Sequence, residues 1–198
     1  MPAVSVLAIP EPSHEDEPAL LRAAGAGDAS AAQAIFRAHG ARIHRTASRI
    51  LGAADGDVDD VVQQTFLAAF EGAHGFDGRS SVATWLVGIA TRRALDLARS
   101  RARRARWGNV TALFGFPGTA AAPTPDGAME QRSLVERALA ELTPDQRVVF
   151  VLSAVEGHTL QEVADMTATG VSTLHARLTA ARKRLDAFLA SAGEEKSP

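Results

Sequence analysis

A stretch rich in proline and glycine divides the 198-residue chain into two parts whose patterns are helical. Residues 115–127 contain three prolines and three glycines and show no hydrophobic period, which is typical of a linker between domains. Each flanking part has the length of one small domain. We predict five segments: a disordered acidic leader (1–18), a first helical domain (19–106), a flexible linker (107–131), a second helical domain (132–190) and a disordered tail (191–198).

Hydrophobic residues recur at helical spacing on both sides of this linker, and no two-residue alternation is sustained. Alanine is abundant, which also favours helices. We therefore predict an all-α fold of two small helical domains. The first would contain helices over 19–24, 30–51 and 58–72 and one after Ser80 or Ser81; the second would contain helices over 133–141, after Thr143, after Thr159 and over 171–189. Thr143 and Thr159 each open a capping box with Gln or Glu three residues later.

Charge is sorted along the chain although its net value is only -2. Residues 91–106 hold seven arginines against one acid, and residues 171–185 hold four basic side chains and no acid. Four aspartates crowd the short stretch 55–60. Separate basic and acidic surfaces indicate separate partners, with nucleic acid the natural partner of the basic ones.

No residue pattern supports catalysis or a bound metal. The chain has no cysteine, which excludes thiolate ligands and disulfides and agrees with the reducing cytoplasm, where we expect the protein. The six histidines are scattered without metal-ligand spacing. No apolar run approaches the roughly 20 residues that span a bilayer, so we expect no membrane insertion. We predict a protein without enzymatic activity, cofactor or metal, and interpret the acidic cluster as helix capping and a solvated face rather than a cation site.

A short helix, a turn at 168–170 and a longer basic helix form the pattern of a helix-turn-helix. In the last helix, apolar residues at three- and four-residue steps predict a buried stripe. The opposite face has small and polar residues, which would let the backbone approach a DNA groove. Arg177, on its flank, offers the bidentate fork that guanine edges and phosphates accept. The alternative is an ordinary amphipathic helix with a solvated basic face.

The arginine-rich tract follows a segment that carries aromatic residues, Phe76 and Trp85. Aromatic rings beside cations suit unpaired bases, which stack on flat side chains. On composition alone, core positions are the better interpretation for both rings. The tract itself has a simpler alternative, a solvated helix end that binds polyanions without sequence preference.

Two blocks of residues resemble conserved regions of a known family. Residues 57–67 (DVDDVVQQTFL), 76–79 (FDGR), 84–86 (TWL), 89–90 (IA) and 94–96 (ALD) look like the second region of a bacterial sigma factor of the extracytoplasmic-function (ECF) group. Residues 142–150 (LTPDQRVVF), 156–157, 162–164 and 173–182 resemble the fourth region. With the linker, the resemblance covers about residues 19–189 in the right order.

The resemblance implies a subunit that binds core RNA polymerase and promoter DNA and is controlled by an anti-sigma factor. It implies that the polymerase contacts are Asp57, Asp60, Gln63, Gln64 and Leu67. The downstream (minus-ten) element and DNA melting would involve Phe76, Arg79, Trp85, Arg92, Arg93, Asp96 and Arg99. The upstream (minus-thirty-five) element would be read by Ser172, Thr173, His175, Ala176, Arg177 and Arg182.

The chain departs from the usual family pattern at its second motif. Relatives commonly have Leu-Gly at the turn, where this chain has Thr167-Ala168, and Lys-Ser before the arginine, where it has His175-Ala176. The second exchange removes a formal charge and a hydroxyl from the recognition face.

We therefore expect an all-α sigma factor that directs promoter-specific transcription initiation. Two alternatives remain at this point. One is a stand-alone helix-turn-helix regulator that binds DNA without polymerase. The other is a sigma-like adaptor that binds only proteins.

Overall fold

The computed structural model describes residues 16–52, 55–113 and 133–194. These residues form helices and no strand, which confirms the predicted all-α class. The first domain holds α1 (Glu17–Gly25), α2 (Ala29–Leu51), α3 (Val58–Glu71) and α4 (Val82–Leu113), with a 3₁₀ turn at Ala73–Gly75. The second holds α5 (Leu134–Ala140), α6 (Pro144–Phe150), α7 (Leu160–Thr167) and α8 (Val171–Glu194), and a π-helical turn at Val151–Val155 extends α6.

Local side-chain caps begin most of these helices where the sequence predicts. Thr143 accepts a hydrogen bond from the backbone N–H of Gln146 at 3.3 Å, and the Gln146 side chain accepts one from the N–H of Thr143 at 3.1 Å. The same reciprocal box opens α7 at Thr159, as predicted. Ser81 is the cap of α4, because its Oγ accepts from the N–H of Thr84. Each cap satisfies an N–H that the first helical turn leaves without a partner.

Two helices run past their predicted ends. The last predicted element stops at residue 189, but α8 continues to Glu194, into the segment predicted to be a tail. Helix α4 passes Arg106 and ends at Leu113, so the predicted linker (107–131) begins with helix. Both extensions precede the next proline in the sequence, Pro117 or Pro198, so no missing N–H interrupts the helical backbone there. The predicted leader (1–18) was drawn too long, because α1 already begins at Glu17, which is buried. Residues 1–15, 53–54, 114–132 and 195–198 lie outside the described residues.

The core of the first domain lies between α2, α3 and α4. Ile35, Ile43, Ile50 and Leu86 are fully buried there. Val82 and Leu86 lie on one stripe of α4, as the hydrophobic period predicts, and the arginines occupy the other face. This packing holds α4 rigidly along the domain.

The second domain is a helix-turn-helix, as predicted. Leu174 and Leu178 of α8 are buried against the other helices, and Leu185 packs with Leu142 in a smaller cluster near the end of α5. Gly157, with φ of +79°, makes the turn between the π-helical segment and α7. Its backbone conformation is one that glycine adopts without strain.

The two domains pack against each other and share one hydrophobic core. Met166 of α7 lies on Gly88 of α4, where a Cβ added to the glycine would be 3.3 Å from Met166 Cγ. A polar set joins α2 to the second domain: the Thr46 hydroxyl donates to Glu156 at 2.6 Å, and Arg42 Nη2 lies 3.4 Å from His158 Nε2. Nothing in the sequence patterns predicted this packing.

Candidate nucleic-acid interface

One surface of α4 gathers most of the residues predicted for the downstream element. A cleft of about 460 Å³ is lined by Ala68, Trp85, Ile89, Arg92, Arg93 and Asp96. Residues 85, 89, 92, 93 and 96 lie on one face because they follow three- and four-residue steps along the helix. The cleft therefore sets an aromatic ring beside two cations and one carboxylate.

Phe76 is a core residue that holds the loop before α4. It is 9% exposed, and its ring meets Trp85 edge to face at a centroid distance of 5.4 Å. Trp85 is only half-buried. The interpretation of Phe76 as core, drawn from composition, is thus confirmed, whereas Trp85 combines packing with an open edge toward the cleft.

Arg79 stands at the exposed tip of the same loop. Its Nε donates to Asp77 at 2.5 Å, and its backbone N–H donates to the same carboxylate at 3.1 Å. These two bonds, the backbone one foremost, lower the pKa of Asp77 below its ordinary value. Gly78, with φ of +73°, allows the tight bend that brings the two side chains together.

Two of the predicted DNA-binding arginines on α4 contact the second domain. Arg92 Nη1 donates to the backbone carbonyl of Met166 at 3.0 Å, and the loss of hydration there lowers the pKa of its guanidinium. Arg99 Nη2 lies 2.5 Å from Asp145 of α6. The hydrogen bond to Asp145 raises the pKa of Arg99.

On α8, the predicted recognition helix, most of the predicted contacts face outward. Ser172, Thr173, His175, Ala176 and Arg182 are exposed. Arg177 is the exception, because its side chain is 30% exposed and lies 3.1 Å from Asp145. The same carboxylate therefore binds an arginine from each predicted promoter-reading helix. No pattern in the sequence singled out Asp145.

The turn before α8 contains a residue in a left-handed conformation. Ala168 has φ of 50° and ψ of 41°. An L-residue therefore bears the strain of a turn conformation that glycine adopts freely.

Residues predicted to bind polymerase lie along one side of α3. Asp57, Asp60, Gln63 and Leu67 are exposed, and Gln64 is half-buried. Next to them is a residue that sequence reasoning missed, Phe36 of α2, which is 50% exposed with its ring centroid 4.9 Å from that of Phe66. An exposed phenylalanine within a helical period is not distinguishable from a core residue by sequence alone.

The acidic cluster before α3 also has a structural role, because it binds an arginine of α4. Arg101 of α4 donates to the carboxylates of both Asp55 and Asp57. Burial alone would raise the pKa of Asp55, but the hydrogen bonds from Arg101 and from the Asp57 backbone lower it overall. In the part of the chain that the structure describes, no group of three or more His, Cys, Asp or Glu side chains has the geometry of a metal site.

Comparison with known proteins agrees with both blocks. The family models Sigma-70 region 2 and Sigma-70, region 4 match residues 35–104 and 132–185. The ECF RNA polymerase sigma factor SigM of Mycobacterium tuberculosis is 34% identical over 170 residues, which cover 86% of this chain and 83% of that protein. The chain belongs to the ECF group of sigma factors. This sigma factor directs transcription initiation by RNA polymerase, and its partners are core RNA polymerase and promoter DNA.

Other relatives extend over both domains of the sigma factor. The RNA polymerase sigma factor NccH of Alcaligenes xylosoxydans xylosoxydans is 30% identical, over 87% of this chain and 94% of NccH. The structure of CnrH in complex with the cytosolic domain of CnrY superposes with a TM-score of 0.62 and 27% identity, over 88% of this chain and 97% of CnrH. RpoE of Bartonella quintana, in complex with the anti-sigma factor NepR, shares the fold at 22% identity and a TM-score of 0.55, over 75% of this chain and 90% of RpoE.

The family membership confirms the resemblance seen in the sequence and sets aside the stand-alone regulator and the adaptor. Sigma factors as a class are not enzymes, which is consistent with the expectation that this chain has no catalytic activity. None of the described helices has both the length and the apolar character needed to cross a bilayer.

Proposed function

We propose that this sigma factor reads the downstream promoter element with the cleft on α4 and the upstream element with the exposed face of α8. The observation that carries this proposal is the make-up of the cleft, where Trp85 lies beside Arg92, Arg93 and Asp96. A ring edge flanked by cations suits a base that has left the stack, with the arginines on its phosphates. Arg79, on the exposed loop tip, extends the same basic surface toward the opened strand.

The upstream element would be read from the first turns of α8. Ser172, Thr173 and Ala176 are small and exposed, so the helix backbone can approach the major groove closely. Arg177 and Arg182 supply the long side chains that reach base edges and phosphates. His175 adds a donor or acceptor but no fixed charge where many relatives have lysine.

The polymerase contact would be the exposed side of α3. Asp57, Asp60, Gln63 and Gln64 precede Leu67 on the same side of α3, and Leu67 is 46% exposed. An exposed apolar side chain next to polar ones is the usual composition of a protein interface. Phe36, beside this set on α2, enlarges the apolar centre.

The remaining parts of the proposal follow from this role. The sigma factor supplies no catalysis and needs no cofactor, because the polymerase carries the chemistry. It acts in the cytoplasm, where the polymerase and the chromosome are. An anti-sigma factor controls it, as the complexes of CnrH and RpoE suggest for those relatives.

Run-off transcription with purified core polymerase tests the proposal. Wild-type protein should initiate at a defined set of genomic promoters, and Arg177→Ala should weaken binding to the upstream element by about 1–3 kcal/mol because it removes a base or phosphate contact. Arg22→Ala, which removes an exposed arginine from α1, is the matched control and should leave promoter selection unchanged.

The outcomes separate the parts of the proposal. Absence of promoter-specific transcripts with wild-type protein on every genomic promoter would reject the function as a whole. Normal promoter selection by Arg177→Ala would reject the assignment of the upstream contact to α8 at this residue.

A further inference from the structure

The C-terminal part of α4 carries a group of arginines that the proposed function leaves without a role. This group, the basic end of α4, consists of three exposed residues, Arg103, Arg104 and Arg106. The sequence contains no acidic residue between Asp96 and the end of the helix at Leu113. Arg99 and Arg101 pair with aspartates, whereas among the described residues no carboxylate pairs with the basic end.

The stability of the helix does not account for the basic end. Positive charge stabilises a helix only within its last turn, but the basic end lies before that turn, which contains no basic residue. Arg103 and Arg106 are three residues apart, a spacing at which like charges on a helix repel each other. A cluster that lowers helix stability and forms no ion pair with the described part of the chain has the properties of a surface that binds an anion.

The basic end continues the face of α4 that carries the cleft. Three- and four-residue steps from Asp96 lead to Arg103 and Trp107, so all three lie on one side of the helix. Trp85, which lines the cleft, lies on this side as well. Trp107 is 69% exposed. An exposed ring among arginines suits nucleic acid, because the ring can contact sugars and bases while the guanidinium groups bind phosphates.

We propose that the basic end of α4 binds the phosphates of the double-stranded DNA directly upstream of the opened segment. The inference rests on the proposed function, since it takes the cleft on α4 to hold the opened strand. The chain runs from α4 to the second domain, which would read the upstream element, so the C-terminal end of α4 points upstream. At about 1.5 Å per residue, the basic end lies about 10–15 Å beyond Asp96, which corresponds to about three to five base pairs of duplex.

This contact adds affinity for the DNA between the two promoter elements, whatever its bases. Phosphate contacts fix the position of a protein on a duplex but carry no sequence information directly. Each phosphate that an arginine neutralises also releases counterions, so the contact weakens as the salt concentration rises. The basic end therefore differs from the cleft and from α8, which would recognise particular bases.

Two forked DNA probes test the proposal with the holoenzyme, which is core polymerase with this sigma factor. Both probes carry the downstream element as an unpaired strand, and neither contains the upstream element. In the short probe, the duplex ends at the upstream edge of the downstream element. In the long probe, the duplex continues upstream for about ten base pairs, which is one helical turn.

The variant Arg103→Gln/Arg104→Gln/Arg106→Gln should bind the short probe as wild type does and the long probe about tenfold more weakly. For the long probe, the slope of log affinity against log salt concentration should become shallower by about 2–3, because up to three phosphate contacts are lost. Glutamine is a good helix former, so α4 should persist, and circular dichroism checks this.

A matched control removes the same charge elsewhere in the first domain. Arg22→Gln/Arg37→Gln/Arg45→Gln replaces three exposed arginines of α1 and α2. Its ratio of affinities for the long and short probes should equal that of wild type. If the variant of the basic end also keeps the wild-type ratio, the proposal is wrong. Equal losses on both probes together with weaker binding to core polymerase would assign these arginines to a polymerase surface instead, and would also overturn the proposal.

Trp85→Ala separates this inference from the proposed function of the cleft. Because both probes contain the unpaired strand, loss of the ring should weaken the binding of both probes by the same factor. If Trp85→Ala binds both probes as wild type does, the assignment of the cleft to the opened strand fails. The ratio of affinities for the long and short probes still decides whether the basic end contacts the duplex.

Discussion

At the scale of single residues, Ala168 forms the turn before α8 in a conformation that glycine adopts more easily. It is the only non-glycine residue with positive φ among the described residues. A left-handed conformation costs an L-residue about 1–2 kcal/mol because Cβ approaches the following carbonyl oxygen. The strain is tolerated because buried Met166 and Leu174 hold the helices on both sides of the turn.

Replacing Ala168 by glycine should therefore stabilise the protein. The variant Ala168→Gly removes the Cβ strain, and we expect the free energy of unfolding to rise by about 0.5–1 kcal/mol after the entropy of the more flexible unfolded chain is included. Urea denaturation measures the change. Ala180→Gly, at an exposed position inside α8, is the matched control and should instead cost about 1 kcal/mol. A loss of stability in both variants would contradict the inference that the backbone is strained at Ala168.

At the scale of elements, α4 is held at three places by different chemistry. Its first turns are buried in the core, its middle contacts the second domain through Arg92, and its basic stretch is tied to the start of α3 through Arg101. Arg101 bridges Asp55 and Asp57, so the acidic cluster orients the basic helix as well as offering a surface. The acidic run before α3 and the basic run of α4 are separate in the sequence, but ion pairs join them in the structure.

The bridge between Asp55 and Arg101 should make stability depend on pH in the acid range. The folded-state pKa of Asp55 lies below its ordinary value of 3.8, so the bridge contributes fully above that value and is lost as pH falls through the folded-state pKa. At neutral pH, Asp55→Asn should lower the free energy of unfolding by about 0.5–1 kcal/mol. The difference in the free energy of unfolding between Asp55→Asn and wild type should shrink as pH falls through the folded-state pKa of Asp55.

Denaturation with urea across this pH range measures the effect of Asp55→Asn. Asp186→Asn removes an exposed carboxylate of α8 and serves as the control, for which we expect little change at any of these pH values. If the free energies of unfolding of Asp55→Asn and wild type differ by the same amount from neutral to acid pH, the loss of stability comes from packing and not from charge.

At the scale of the whole molecule, the two domains behave as one packed body in this structure. Val148, Val163 and Met166 of the second domain belong to the same buried cluster as Leu86 and Ala90 of α4. A shared core couples the stability of two units that are otherwise separate in sequence. The packing of the two domains is thus supported by apolar burial as well as by the polar contacts at its edges.

This coupling predicts cooperative unfolding. Both tryptophans, Trp85 and Trp107, lie in the first domain, so fluorescence follows that domain while circular dichroism follows all helices. The two transitions should coincide in wild type. Met166→Ala should lower the free energy of unfolding by about 2–4 kcal/mol and shift both signals, although Met166 belongs to the second domain. An unchanged fluorescence midpoint in this variant would contradict the shared core.

Local features of the fold were predictable because their causes lie within a few residues. The capping boxes at Thr143 and Thr159 act over three positions, and the buried stripe of α8 follows from helical spacing. The ends of α4 and α8 were predicted less well, because no proline follows directly after the last buried positions of either helix. The outward placement of Ser172 and Thr173 also followed from the period of α8.

What the sequence by itself determined was the helical class, the helix starts, the two charged helices and membership of the sigma family. Only the tertiary structure decided that Asp145 joins Arg99 to Arg177, and that Arg42 meets His158. These contacts link positions 46, 32 and 116 residues apart, so no local pattern encodes them. They depend on how the surfaces of two complete domains fit together.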